Sequence, residues 1–147
     1  MKLVLSILLS VSFLSAPLWQ TDFKKAQEEA LLGKKYILLN FSGSDWCAPC
    51  IKLKRDILDS DDFLGFASEK LVLVRADFPR LKKNQLQAKQ LEQNELLAEK
   101  YNVEGKFPFT VLLDAEGHII KEWEGYPTNL TIESLKSQIQ QVTNAVH

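Results

Sequence analysis

Residues 36–57, YILLNFSGSDWCAPCIKLKRDI, decide how the rest of the chain is read. Tyr36, Ile37, Leu38, Leu39 and Phe41 form a nearly continuous apolar run, the pattern of a short strand buried on both faces. Ser42, Gly43, Ser44 and Asp45 supply turn chemistry and a candidate helix N-cap. Beyond Cys50 the apolar Leu53 and Ile57 lie four apart, with Lys52, Lys54 and Arg55 on the polar side, which is helical spacing. Cys47-Ala48-Pro49-Cys50 therefore falls where a buried strand hands over to a helix.

That position sets the chemistry expected of the cysteines. The first turn of a helix carries unpaired N–H groups and the positive end of the helix dipole. Both favour a thiolate over a thiol, so Cys47 is expected to have a lowered pKa and to act as a nucleophile near neutral pH. Cys50, one turn on, lies on the same face, within reach of a disulfide. Pro49 needs no N–H in a first turn and stiffens it. Trp46 is placed to shield one side of the pair and to offer a partner an apolar surface.

Other readings stand beside a reversible dithiol/disulfide couple. A structural disulfide closing so short a loop removes little unfolded-state entropy. A zinc half-site needs about four ligands, yet the chain has no other cysteine and its two histidines, His118 and His147, are distant in sequence. Two buried, inert cysteines are the third reading, against which the turn residues and Trp46 argue. The couple is the reading that a Cys-x-x-Cys beside a strand–helix–strand pattern favours.

WCAPC after an apolar strand resembles the active site of the thioredoxin superfamily, and the order of the remaining elements follows that family over about residues 19–146. The resemblance is nearest to exported bacterial thioredoxin-like proteins with G-S-D-W-C and D-F-P stretches, here residues 43–47 and 77–79. It implies an α/β thioredoxin fold: a central mixed sheet of about four to five strands with helices on both faces. It also implies that Pro108, about 60 residues after WCAPC, carries a cis bond beside the cysteines, and that the Phe107 backbone pairs with an extended substrate. Phe107 and Phe109 would make that rim apolar, although Phe109 suits core packing equally well. One departure stands out. The family usually has a buried aspartate in the strand before the cysteines, thought to help deprotonate the second one, and the matching position here is Asn40. Cys50 would then need another base, such as Asp45 or water.

The 147 residues suit one domain with its own core, residues 17–147 after a leader. Hydrophobic content of 46% and a net charge of −1 fit a globular protein without a nucleic-acid or anionic-membrane partner. Residues 1–16, MKLVLSILLSVSFLSA, match a secretory signal and are shorter than a membrane span. Pro17 disfavours cleavage after Ala16, so cleavage elsewhere and an uncleaved anchor are alternatives, beside a buried N-terminal element of a cytosolic protein. Without residues 1–16 the charge is 17 − 19 = −2, and the conclusion on partners stands.

Along the chain, residues 19–33 read as a first helix ended by Gly33, and 59–62 as a break before a last short helical turn carrying Phe63, Phe66 and Ala67. Residues 70–77 read as a second strand. A polar loop from Phe78 with Lys82 and Lys83 leads into a helix from about Leu86, its apolar side carrying Leu91, Leu97, Ala98 and Tyr101. Its glutamines and lysines read as a solvated face, though such a loop could lie beside the cysteines and choose partners. Residues 110–114 and 118–124 form a hairpin about Ala115-Glu116-Gly117, with Ile119 and Trp123 on its buried face and His118 exposed. Thr131 caps a last helix with an Ile132, Leu135, Ile139, Val142 and Val146 stripe.

The expected activity is thiol–disulfide exchange with protein substrates through Cys47 and Cys50, more as reductase than oxidase, in an exported and periplasmic setting. Neither cofactor nor resident metal is expected. Partners are protein disulfides and an electron donor or acceptor that the sequence does not name, with no membrane contact beyond an anchor, and the chain is expected to be a monomer. Trp46, Pro49, Asp45 and Asn40 support the site. The competing class is a non-enzymatic thioredoxin-fold module that binds a partner or carries a metal.

Overall fold

The computed structural model describes residues 19–145; the leader expected over 1–16, with Val146 and His147, lies outside them. Four strands, Tyr36–Ser42 (β1), Leu71–Asp77 (β2), Phe109–Leu113 (β3) and Ile119–Glu124 (β4), form one sheet in the order β2-β1-β3-β4. β1 runs parallel to β2 and antiparallel to β3, and β3 pairs antiparallel with β4. The mixed α/β sheet expected from the sequence is what the chain forms.

Side chains alternate between the two faces of the sheet, and each face is covered by helices. Ile37, Leu39, Phe41, Val74 and Val111 pack with Ala26 and Ala30 of helix Phe23–Gly33 (α1) and with Leu97 and Tyr101 of helix Ala88–Tyr101 (α4). On the other face Leu38, Leu73 and Leu112 meet Leu53 of Ala48–Leu53 (α2), Phe63 of Asp61–Lys70 (α3), and Leu135 and Ile139 of Ile132–Asn144 (α5). Each such leucine or isoleucine buried from water contributes on the order of 1.5–3 kcal/mol. β1 lies in the middle, with both faces covered, and so fixes the level at which the Cys47 turn emerges.

Several expectations need correction. α1 starts at Phe23, because Asp22 caps it by accepting from the Lys25 N–H at 3.0 Å. Trp19 and Gln20 precede the helix instead, with Gln20 bridged in parallel to Val74 along the free edge of β2. The left-handed residue closing α1 is Lys34, at φ 51°, and not Gly33. The acidic "break" at 59–62 is a helix start: the Ser60 side chain caps a ten-residue α3, with Asp61 and Asp62 in its first turn against the positive dipole end.

α4 starts at Ala88, and its polar residues are not all solvated. Asn94 is buried and donates to the Asp77 carbonyl, while Gln90 and Gln93 both donate to the Thr21 carbonyl. In the hairpin, a bulge between Leu112 and Leu113 shifts the register. Ile119 is therefore left exposed, and Ile120 joins Trp123 against the core. Thr131 caps α5 as expected, through a reciprocal pair with Ser134.

Candidate active site

Cys47 and Cys50 form a disulfide, with Cα atoms 5.2 Å apart. Cys47 itself is the N-cap of α2: its Sγ accepts from the Cys50 N–H at 3.3 Å, and its carbonyl accepts from the Ile51 N–H. The N-cap is thus not Asp45, the acidic candidate of the turn. A sulfur in the N-cap place receives an amide that a helix start otherwise leaves unpaired, which favours negative charge on that sulfur once the pair is reduced. Pro49 sits in the first turn, where its missing N–H has no consequence. Of the two sulfur residues Cys47 is the more open, at 5% exposure against 2% for Cys50, and exposed Ala48 and Pro49 lie between them. The opening is narrower than a freely reachable thiol would have.

Below α2 a single wider turn, Lys54–Leu58, continues the helix and seats Ile57 and Leu58 in the core. Its geometry, with the Asp59 N–H reaching the Lys54 carbonyl at 2.8 Å, is a π-type turn that the four-residue spacing of Leu53 and Ile57 does not reveal.

Trp46 ties the disulfide to the rest of the rim. Its Nε1 donates to the Phe78 carbonyl at 2.7 Å, its ring meets Phe107 edge-on at 5.4 Å, and Phe78 meets Phe107 at 5.6 Å. The Phe107–Pro108 bond is cis. The Pro108 carbonyl accepts from the Gly125 N–H, but among the described residues no hydrogen bond takes up the N–H or carbonyl of Phe107. Phe109 turns inward and joins the core, so it does not extend this apolar rim.

Trp46 is less of a free apolar surface than the sequence suggested, because the Arg80 guanidinium lies over its ring at 3.6 Å. Asp45 holds the segment that carries Arg80. Its carboxylate accepts from the N–H groups of Arg80 (2.9 Å) and Leu81 (3.0 Å) and from Asn84 Nδ2 (2.9 Å). These donors, the Arg80 amide foremost, hold the Asp45 carboxyl below the ordinary carboxylate range. A carboxylate so engaged is a poor proton acceptor, so Asp45 does not fit the base role considered for it. Ser44 makes a parallel fastening, donating from N and Oγ to Asp77.

Asn40 lies buried on β1, on the α2 side of the sheet, and donates from Nδ2 to Thr110 Oγ1 at 3.0 Å. Thr110 was not singled out from the sequence; only the β1–β3 register brings it opposite Asn40. His118 is exposed, as expected, with Nδ1 2.8 Å from Asp114 Oδ2. Among the described residues the one cluster of three potential metal ligands is Asp114, Glu116 and His118 on the hairpin turn, and it contains no cysteine.

Comparison with known proteins agrees with this geometry. A family model described as a thioredoxin-like domain matches residues 23–140. The disulfide bond reductase DsbH of Chlamydia pneumoniae is 41% identical over 99 residues, which are 67% of this chain and 57% of that protein. The thioredoxin-related protein DsbJ of the same organism is 29% identical over 99 residues, 67% of this chain and 27% of that one. The chain thus spans little more than half the length of the first relative and about a quarter of the second. A solved DsbH oxidoreductase superposes with a TM-score of 0.76 at 30% identity, covering 98% of this chain and 95% of that one.

Proposed function

The chain belongs to the thioredoxin-like domain family, and from that membership we propose that it exchanges disulfides with protein substrates, working as a reductase. The observation that carries the reading is the Cys47–Cys50 disulfide at the start of α2, on the same rim as the cis Phe107–Pro108 bond.

Each residue of the rim has its own part. In the reduced protein the Cys47 thiolate, held by the Cys50 N–H and the helix start, attacks one sulfur of a substrate disulfide. A mixed disulfide forms and the other substrate sulfur leaves as a thiolate, which takes up a proton. Cys50, deprotonated, then attacks Cys47 Sγ, restoring the 47–50 disulfide and releasing the second substrate thiol. Two electrons and two protons pass to the substrate in total. The free N–H and carbonyl of Phe107 pair with the substrate backbone, an arrangement that accepts many sequences. Trp46 and Pro49 shape the rim, and Asn40 supports β1 beneath α2.

Export to the periplasm, action as a monomer and supply of electrons by a separate donor belong to the same proposal. Export is supported by the leader-like sequence of residues 1–16, and a separate electron donor by the name of the reductase relative. The metal-carrying alternative is weakened, because no third ligand accompanies the two cysteines among the described residues.

The test is reduction of a disulfide-bonded protein by the dithiol form, with Cys47→Ser as control. Turnover by the wild type that is absent from the variant is the expected result. Equal rates for both remove the enzyme reading.

A further inference from the structure

We propose that the segment following β2, Phe78 to Gln85, is a cationic ledge that selects substrates carrying acidic residues beside their disulfide. The inference rests on the disulfide-exchange reading and adds a substrate class to it.

Three observations carry it. The first is composition: residues 78–85, FPRLKKNQ, hold Arg80, Lys82 and Lys83 and no Asp or Glu, in a chain whose net charge is −1. The second is fastening. Asp45 grips the Arg80 and Leu81 amides and Asn84, the Phe78 carbonyl is held by Trp46, and the Phe78 N–H donates to the Ser42 carbonyl. The segment is thereby fixed to the residues immediately before Cys47, so its charges stay beside the disulfide. The third is the lack of internal partners. Lys52, Lys54, Arg55, Lys106 and Lys136 each have a carboxylate, but among the described residues Arg80, Lys82 and Lys83 have none, and all three are exposed.

Arg80 is occupied on one face by Trp46, which orients it, while Lys82 and Lys83 stand on the short helical turn Lys82–Asn84. A substrate segment paired with the Phe107 backbone lies against Trp46 and so next to this ledge. A carboxylate on that segment meets Arg80, oriented over Trp46, and the exposed Lys82 and Lys83, while the nearby Asp45 carboxylate is taken up by the Arg80 and Leu81 amides and Asn84. Exposed ion pairs are individually weak, so the preference is a matter of severalfold, and salt screens it.

The experiment uses three peptides of one sequence, differing only in whether the residues flanking the cysteines are Glu, Gln or Lys. Anisotropy measures their binding to the oxidised protein, and the reduced protein is assayed for reduction of their disulfide-bridged forms. At low salt the Glu peptide is expected to bind and react about three- to tenfold better, the ratio falling within about twofold at 0.5 M salt. In Lys82→Gln/Lys83→Gln the ratio falls towards one, and Lys82→Glu/Lys83→Glu favours a Lys-substituted peptide. Equal binding and rates for the Glu and Gln peptides in the wild type, or a ratio kept in the double Gln variant, overturn the ledge. If no bridged peptide is reduced yet the oxidised protein still prefers the Glu peptide through Lys82 and Lys83, the redox reading fails and the ledge stands. If the Glu and Gln peptides are reduced alike, the reverse holds.

Discussion

Asn40 Nδ2 donates a 3.0 Å hydrogen bond to Thr110 Oγ1 across a residue pair that β1 and β3 place directly opposite one another. Both residues are buried, on the side of the sheet that α2 covers. The resemblance to the thioredoxin superfamily implies an aspartate at this place in the strand, where this chain has Asn40. An amide can anchor the neighbouring strand as an aspartate would, but it cannot take a proton from the second cysteine.

Asn40→Asp supplies that missing acceptor. The variant is expected to release its mixed disulfide faster near neutral pH, in single-turnover reduction followed by rapid mixing. The same substitution has a stability signature. At 3% exposure an aspartate has its pKa raised by burial. Its relative stability is therefore greatest below the unfolded pKa of about 3.9 and is lost as pH rises through the folded value, by about 1.4 kcal/mol for each tenfold that folding weakens the acid. An unchanged release rate together with an unchanged pH profile of melting means that the position plays no part in proton transfer.

Gly43→Ala tests how Trp46 is seated. A Cβ at Gly43 would lie 2.3 Å from Trp46 Cε2 and 2.5 Å from Cζ2. The indole cannot easily yield, since Phe78 holds its Nε1 and Arg80 lies over its face. The variant is expected to lose about 1–3 kcal/mol in urea unfolding and to reduce peptide disulfides more slowly. Unchanged stability and rate would show that Trp46 moves freely.

Asp45 makes the fastening of the 78–85 segment sensitive to acid. Its carboxyl is held below the ordinary range, chiefly by the Arg80 amide, so the stabilisation is present above the unfolded pKa of about 3.9 and is lost as pH falls through the lower folded value. The amide NMR shifts of Arg80 and Leu81 are expected to titrate together with a midpoint below about 3.9. A midpoint at or above that value, or independent titration of the two amides, contradicts the arrangement. Asp45→Asn should remove the step altogether.

What could be read from the sequence follows the range of the interactions concerned. The apolar run 36–41, the turn residues and the two cysteines act through near neighbours, and the helix start at Cys47 and the buried strand before it are legible at once. The Thr131 cap is equally local. The Asp45 contacts join residues 35 to 39 apart in sequence, and the Asn40–Thr110 pair is 70 apart, so no local pattern announces them. Polar clusters misled in both directions. Asp61 and Asp62 resembled a break but complement a helix dipole, and Gln90 and Gln93 resembled a wet face but secure Thr21. Ile119 was misplaced for another reason: one bulge inverts the alternation on which a strand's buried face is judged.

The direction of exchange is open to a separate measurement. Equilibration of the 47–50 couple against glutathione or dithiothreitol is expected to give a potential close to that of thioredoxin, ~ −270 mV. A value near ~ −120 mV would make the protein an oxidant of its substrates.

The central claim is that Cys47, capping α2, is the ionised and attacking sulfur. Alkylation of the fully reduced protein by iodoacetamide across pH, with each site followed by peptide mass, tests it most directly. The account predicts that Cys47 is modified first, with a midpoint at or below about 7.5, and that Cys50 lags throughout. Modification of Cys50 ahead of Cys47, or a Cys47 midpoint at the free-thiol value of about 8.5, would contradict it.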